Sequence, residues 1–529
     1  MYVRAITRRG RYRKWLVAGL IAFVVLVQVF PVLWRPLAAI IEMWTDIKHP
    51  VVKVDDVLLM AISTKQPRVR QRQREPVVYK DLPPMTSSAR HVSPVDARQS
   101  SRRVRNPPSV GSIRGSQAPA RDLTSIHHKW NPVSPPNGYS SNCSTQAPLH
   151  KRLHCLTDDT AAYFSKTFNW ICFIDGTARV TSADGCVCRK AWFGSMCSIP
   201  KAVHVSNYPD EYGLGAMTIP RRIIYAFPFA NEFDLLETRL HELSGSVDVY
   251  VILESNYTAS GQPKELRLLQ RMRDGFLREL QSKIVYVLLD YFPLDGHADG
   301  WAVDALLRNY IGYDGFSRIR NIRDDDLIIS TDADEIPTRS ALVFLKVHYG
   351  YPEPIGFNLR HNVFGFFFRS PDTGNSHVFG ACSVAMLKWI FDGYLYRLRR
   401  ATKHMTDNPR LVNEYKYKAG GRIHTWSFGS AALPSGWHCS WCFRPEGIRF
   451  KMLAAHVSDM PRWGAFPSKL ALGYIRNTIE LGLWFDDETR LVATNTNDTE
   501  LYAPEYTRNH AEKFRHILRV PFRSQKDSI

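Results

Sequence analysis

Cysteine is absent from the first 142 of the 529 residues. That part of the chain therefore has no disulfide framework and no thiolate metal site. Large apolar residues are sparse from Met60 to Ser141, where Pro, Ser, Arg and Gln dominate. Such a stretch cannot bury enough surface to offset chain entropy, which excludes a packed domain there. Aromatics are not interleaved with its basic residues, and the charge lies in a linker. Both points argue against nucleic-acid binding despite a net charge of +19. No small-residue cleavage site follows the apolar run Trp15–Trp34; Arg35-Pro36 comes instead, which argues against a removed signal peptide. The later cysteines lack two Cys-x2-Cys arms, so a zinc site is disfavoured.

What is present divides the chain. Residues 1–14 carry six positive charges and read as a cytosolic tail. Residues 15–34 are long enough to cross a bilayer core, at about 1.5 Å per residue. The positive-inside rule then places everything after Trp34 in the lumen or outside, as in a single-pass type II protein held by an uncleaved anchor. Residues 35–142 are predicted to be a largely disordered stem. Between 65 and 123 it holds 13 Lys/Arg against 4 Asp/Glu, so most of the excess charge sits outside the folded part. Three sequons, at Asn142, Asn256 and Asn497, are compatible with secretory topology.

Six cysteines fall in residues 143–200: Cys143, Cys155, Cys172, Cys186, Cys188 and Cys197. The run Cys186-Val-Cys188-x5-Gly194-x2-Cys197 resembles the tail of an EGF-like module. The resemblance implies pairs 143–172, 155–186 and 188–197, in a spacer or a surface for a protein partner. Six cysteines alone would permit fifteen pairings. Cys382, Cys439 and Cys442 remain. Cys439-Ser-Trp-Cys442 suits a short disulfide, a redox pair or half a metal site, with structural cysteines favoured. The odd total leaves one thiol free or intermolecular.

Residues 201–529 form one large domain whose first half alternates strands and helices. Strands are predicted at Arg222–Pro228, Val247–Leu253, Ile284–Leu289 and Leu327–Ser330. Helices are predicted at Glu232–Leu243, Leu266–Leu280 and Ala302–Tyr310. This pattern predicts an α/β fold on a mostly parallel sheet. Each strand is followed closely by a polar group: Asn231, Glu254, Asp290 or Asp332. Ligands of open α/β sheets bind at that edge. The last strand runs into Asp332-Ala-Asp334-Glu335. Asp332 and Asp334 are two apart, so in extended backbone they point the same way. Two oxygen donors on one side suit Mn²⁺ or Mg²⁺.

The segments Tyr225-Ala-Phe-Pro-Phe229, Glu254-Ser-Asn-Tyr-Thr-Ala259, Asp299-Gly-Trp301, Asp332-Ala-Asp-Glu-Ile-Pro337, Gly436-Trp-His-Cys-Ser-Trp-Cys442, Pro461-Arg-Trp-Gly464 and Leu501-Tyr-Ala-Pro504 resemble glycosyltransferase family 17, in the same order through most of residues 220–515. The resemblance implies a GT-A-like catalytic domain. It also implies inverting transfer of GlcNAc from UDP-GlcNAc to the core β-mannose of N-glycans, in β-1,4 linkage, at the Golgi membrane. The family's Asp-x-Asp falls on Asp332 and Asp334. The chain departs from the family in its long basic stem and in His456, where a Gln is expected, which bears on acceptor choice.

That chemistry needs neutralisation of the leaving diphosphate, for which Asp332 and Asp334 would hold the metal, with His438 as a further ligand or else a structural histidine. It needs a carboxylate base for the acceptor hydroxyl; Glu335, Asp299 and Asp459 are the candidates. Glu335 is equally well read as a carboxylate placed for a helix start. Asn231, Glu254, Arg318 and Arg323 are candidates for holding the donor. Trp437, Trp441 and Trp463 are candidates for stacking on sugars, though core packing suits them better. A non-catalytic type II membrane protein, binding partners through the cysteine-rich module and a lectin-like domain, is the alternative reading.

Overall fold

The structure, a computed structural model, describes residues 143, 147–209, 213–371, 375–497 and 501–521. The anchor at 15–34, the stem and Asn142 lie outside the described residues. No described helix is long and apolar enough to cross a membrane.

The domain is built on a sheet whose first strands are β1 (Ile223–Phe229), β2 (Val249–Ser255), β3 (Ile284–Leu289) and β4 (Leu327–Ser330). Helices α1 (Phe233–Leu243), α2 (Arg267–Arg273) and α3 (Gly300–Tyr310) connect them. The strands lie in the order β3-β2-β1-β4, all parallel. Their near-continuous apolar sequences suit a sheet covered on both faces. Tyr225 and Phe227 of β1 enter one core cluster, and Ile224 and Ala226 enter the other. The period-2 alternation of a strand produces that division.

After Ser330 the sheet becomes mixed, beyond the mostly parallel expectation. β5 (Glu335–Pro337) follows the Asp-x-Asp turn, and α4 (Arg339–Val347) leads to β6 (Glu353–Val363) and β7 (Asn375–Ser383). β7 is antiparallel to both β4 and β6. After α5 (Leu395–Arg399), strands β8 (Ile423–Phe428) and β9 (Gly436–Ser440) run parallel to β6. β5 pairs antiparallel with β9, placing Glu335 opposite His438. α6 (Pro445–Ala454) and α7 (Leu472–Leu481) pack in a separate cluster with Phe364, Phe443 and Phe485.

The second predicted helix is shorter than its sequence pattern. It stops at Arg273 because Gly275 has φ +98° and Leu277 φ +55°, both left-handed and incompatible with continued helix.

The disulfide pairing implied by the EGF-like resemblance is corrected. The bonds are Cys143–Cys155, Cys172–Cys186 and Cys188–Cys197. The cause lies outside the cysteine-rich stretch. His154–Cys155 pairs in parallel with Ile319–Arg320 of the large domain, which holds Cys155 away from Cys186. The hairpins Phe164–Phe173 and Thr177–Cys188 then bring Cys172 to Cys186, whose Sγ also lies 3.5 Å from the carbonyl of Ile171. Cys439 and Cys442 form a short disulfide, and Cys382, in β7, is the free thiol and is buried.

Candidate active site

β4 carries the chain to the sheet's carboxyl edge, and the turn after it is fixed from beneath. Tyr225 of β1 lies fully buried with its hydroxyl 2.8 Å from Thr331 Oγ1. The Arg239 guanidinium, also fully buried, sits over the Tyr225 and Phe227 rings at 4.9 and 4.2 Å. It donates to the carbonyls of Asp332 and Glu335. The Cys439 amide donates to the Asp334 carbonyl at 2.8 Å, so the short disulfide loop holds the other side of the turn.

Every carboxylate on this turn meets a cation. Asp332 accepts from Arg308 of α3 and, at 3.1 Å, from Arg399 of α5. Asp334 accepts from Lys451 of α6 at 2.9 Å and lies 3.7 Å from His438 Nε2. Glu335 accepts from Arg399 at 2.5 Å and from the Asp332 amide at 2.8 Å, and its side chain is almost wholly buried. Burial alone would raise the Asp332 and Asp334 carboxyls. Arg308 and Arg399 for the first, and Lys451 and His438 for the second, outweigh it and hold both below the usual carboxylate range. His361, stacked 4.9 Å from His438, is pushed down to about 4 by burial and by that neighbour.

Arg308 Nη1 and Arg399 Nη1 are buried without a hydrogen-bond partner among the described residues, as are Nε and Nη1 of Arg239 beneath the turn. A buried orphan donor costs about 1–3 kcal/mol, a cost that an entering anion would relieve.

Asp332, Asp334 and His438, expected to hold a metal, are brought together, yet as arranged they do not fit a divalent ion. Both carboxylates are engaged by Arg308, Arg399 and Lys451. His438 is hydrogen-bonded through both ring nitrogens, to Ser376 at 2.8 Å and Ser440 at 3.0 Å. No group of three His, Cys, Asp or Glu side chains suited to a metal occurs among the described residues.

The remaining candidates separate. Asp299 caps α3 through the Trp301 amide at 2.9 Å and is exposed. It shares a rim with the 455–460 loop: Ser458 Oγ accepts from the Gly300 amide at 2.9 Å and donates to Asp299 Oδ1 at 3.4 Å, and the His456 ring lies 5.2 Å from that of Trp301. Asp459 is exposed on the same loop. Arg400, next to Arg399, sits 5.0 Å over the Trp301 ring and joins this rim to the carboxylate cluster. Glu254 is fully buried and accepts from the Leu268 and Leu269 amides and the Tyr286 hydroxyl. It anchors the start of α2 and presents no free oxygen to a donor. Asn231 accepts weakly from Arg267 at 3.4 Å. Arg318 and Arg323 are not brought to the cluster. The first is buried on Asp314 and the Tyr286 carbonyl; the second lies at the amino end of β4, paired with Asp158.

Trp437 is buried, and Trp441 and Trp463 are half-buried and pack in the α6–α7 cluster. Trp301 is the more open ring, 48% exposed with the Arg400 guanidinium over it. Of the sequons, Asn256 Oδ1 is buried without a partner and Asn497 is exposed. Arg308, Arg399, Lys451 and Trp301 escaped the sequence-based assignment. The helical ion-pair spacing Asp304-x3-Arg308 is a local signal that marks Arg308 as held in place; Lys451 has no local signal.

Residues 199–381 match the family described as Glycosyltransferase family 17. That stretch carries β1 to β4, the Asp-x-Asp turn and most of β7, and the resemblance drawn from the motifs holds. Three curated relatives, from Rattus norvegicus, Mus musculus and Homo sapiens, bear the name Beta-1,4-mannosyl-glycoprotein 4-beta-N-acetylglucosaminyltransferase. Each is 40% identical over 65% of this chain. The chain spans 63% of the length of each. No solved structure matches.

Proposed function

We propose that this chain is an inverting glycosyltransferase. It moves GlcNAc from UDP-GlcNAc to the core β-mannose of N-glycans on glycoproteins, in β-1,4 linkage. It acts as a single-pass type II protein of the Golgi membrane with its catalytic domain in the lumen. The observation that carries this reading is the Asp332–Glu335 turn at the carboxyl edge of a parallel sheet, inside the segment that matches the family. The fold and the relatives lend no support to the non-catalytic alternative.

In this reading the donor lies over the turn and the acceptor enters from the rim of Asp299, Trp301, His456 and Asp459. Inversion needs one base opposite the leaving group. Asp299 and Asp459 are exposed on the acceptor side and free to take the hydroxyl proton. Glu335 is engaged on both oxygens and serves to set the turn. The exposed Trp301 face offers a flat apolar surface to a sugar ring. No step of this reading passes through Mn²⁺ or Mg²⁺.

The test is incubation of the detergent-solubilised full chain with UDP-GlcNAc and a panel of N-glycans. The expected product gains one N-acetylhexosamine, which linkage analysis places β-1,4 on the central mannose. A residue added to an outer-arm mannose would refute the acceptor assignment. Absence of any transfer or donor hydrolysis would refute the enzyme.

A further inference from the structure

Three cations converge on the Asp-x-Asp turn from three different helices: Arg308 of α3, Arg399 of α5 and Lys451 of α6. Around a site whose carboxylates are meant to attract a divalent ion, this is the wrong sign of charge. With Asp332, Asp334 and Glu335 facing Arg308, Arg399 and Lys451, the turn is already close to neutral. The arrangement also exceeds what the carboxylates require. Arg308 Nη1 and Arg399 Nη1 are buried with no acceptor, and the Arg308 side chain is only 5% exposed. Lys451 Nζ, held 2.9 Å from Asp334, is still 31% exposed along its side chain and lies 5.4 and 5.6 Å from the Trp441 and Phe443 ring centres. The carboxylates thus hold three long side chains together at the sheet edge.

We propose that Arg308, Arg399 and Lys451 form a cradle for the diphosphate of the nucleotide-sugar donor. This chain's own side chains then meet the negative charge that develops on the leaving group. The inference rests on the transferase reading and deepens it. A diphosphate supplies several acceptor oxygens and up to three negative charges. Guanidinium groups match phosphate geometry through paired N–H donors, and an ammonium adds a compact charge. When the donor enters, the orphan arginine donors gain acceptors, and Lys451 is shared between Asp334 and a phosphate oxygen. On departure of UDP the cations return to the carboxylates, so the site is never left with three unpaired buried charges.

The test uses the full chain in detergent, with UDP titrated by calorimetry and uridine followed by saturation-transfer NMR, each in EDTA and in Mn²⁺. Wild type is expected to bind UDP in EDTA. Lys451→Met is expected to weaken UDP binding about tenfold or more, the loss of one charge-assisted contact. Uridine binding should be unchanged in that variant, which also reports that it is folded. Lys451→Arg should restore most of the affinity. Arg399→Gln should lower UDP affinity in the same direction. Binding of UDP only with Mn²⁺, or an equal loss of UDP and uridine in Lys451→Met, overturns the cradle while leaving the transferase intact. No binding of UDP by wild type under either condition sinks the donor reading itself.

Discussion

Glu335 and Asp299 were equal candidates for the base by sequence, and their surroundings now predict opposite mutant behaviour. Glu335 is nearly fully buried and holds both Arg399 and the Asp332 amide. Truncation to Ala leaves Arg399 on Asp332 alone and unpairs the Asp332 amide, which should cost about 1–3 kcal/mol of stability, seen as a lower denaturation midpoint. Asp299 is exposed, with a helix cap as its main structural duty. Asp299→Asn keeps that cap, so the midpoint should move little. If Asp299 is the base, kcat should fall by orders of magnitude, about 10²-fold or more, with donor KM unchanged. An unchanged kcat would pass the role to Asp459. Trp301 makes a third prediction at this scale. Its half-exposed face on the acceptor rim means that Trp301→Ala should raise the acceptor KM several-fold and leave UDP affinity alone. Steady-state kinetics with each substrate varied in turn checks both.

Single elements carry consequences that residues viewed alone do not. α4 ends at His348, whose ring bridges the Phe344 carbonyl at 3.0 Å and Ser198 Oγ at 2.9 Å. This histidine ties the end of the cysteine-rich stretch to the large domain. Burial pushes it down to about 4. An unfolded histidine titrates near 6.5, so between those values the unfolded chain binds the extra proton. Its contribution to stability is therefore full above about pH 6.5 and is lost as pH falls towards 4, at up to about 1.4 kcal/mol per pH unit. Chemical denaturation of wild type should show that slope, and His348→Asn should flatten it at the expense of lower stability at neutral pH. A wild-type slope identical to that of the variant would show that His348 is not held neutral. The shortened α2 teaches a related point. Its apolar spacing continues to Leu280, but Gly275 in left-handed backbone ends the helix.

For the molecule as a whole, the cysteine-rich stretch is read differently once the large domain is present. Cys155 is drawn off by its strand pairing with Ile319–Arg320. Non-reducing peptide mapping should recover 143–155, 172–186, 188–197 and 439–442, with Cys382 alkylated only after denaturation. Recovery of 143–172 and 155–186 would instead restore the pairing that the EGF-like resemblance implied. Burial pushes the Cys382 thiol up, which agrees with an unreactive group.

The sequence by itself determined the strands β1 to β4 to within two residues at either end, the carboxyl edge at which their polar groups gather, and the position of Asp332 and Asp334. Those features depend on local pattern, above all continuous apolar runs for covered strands; the two-residue alternation expected of the aspartates does not apply, because Ala333 and Asp334 form a turn and not extended backbone. The tertiary structure decided what surrounds them. Arg308 is 24 residues from Asp332, Arg399 is 67 away, and Lys451 is 117 from Asp334. No periodicity reports a contact across such separations. The same holds for Cys155, paired according to a strand 165 positions later, and for Glu254, whose oxygens went to a helix start instead of a ligand. Local pattern sets how a chain bends and which face it buries. Which charge neutralises which depends on how the helices dock over the sheet edge.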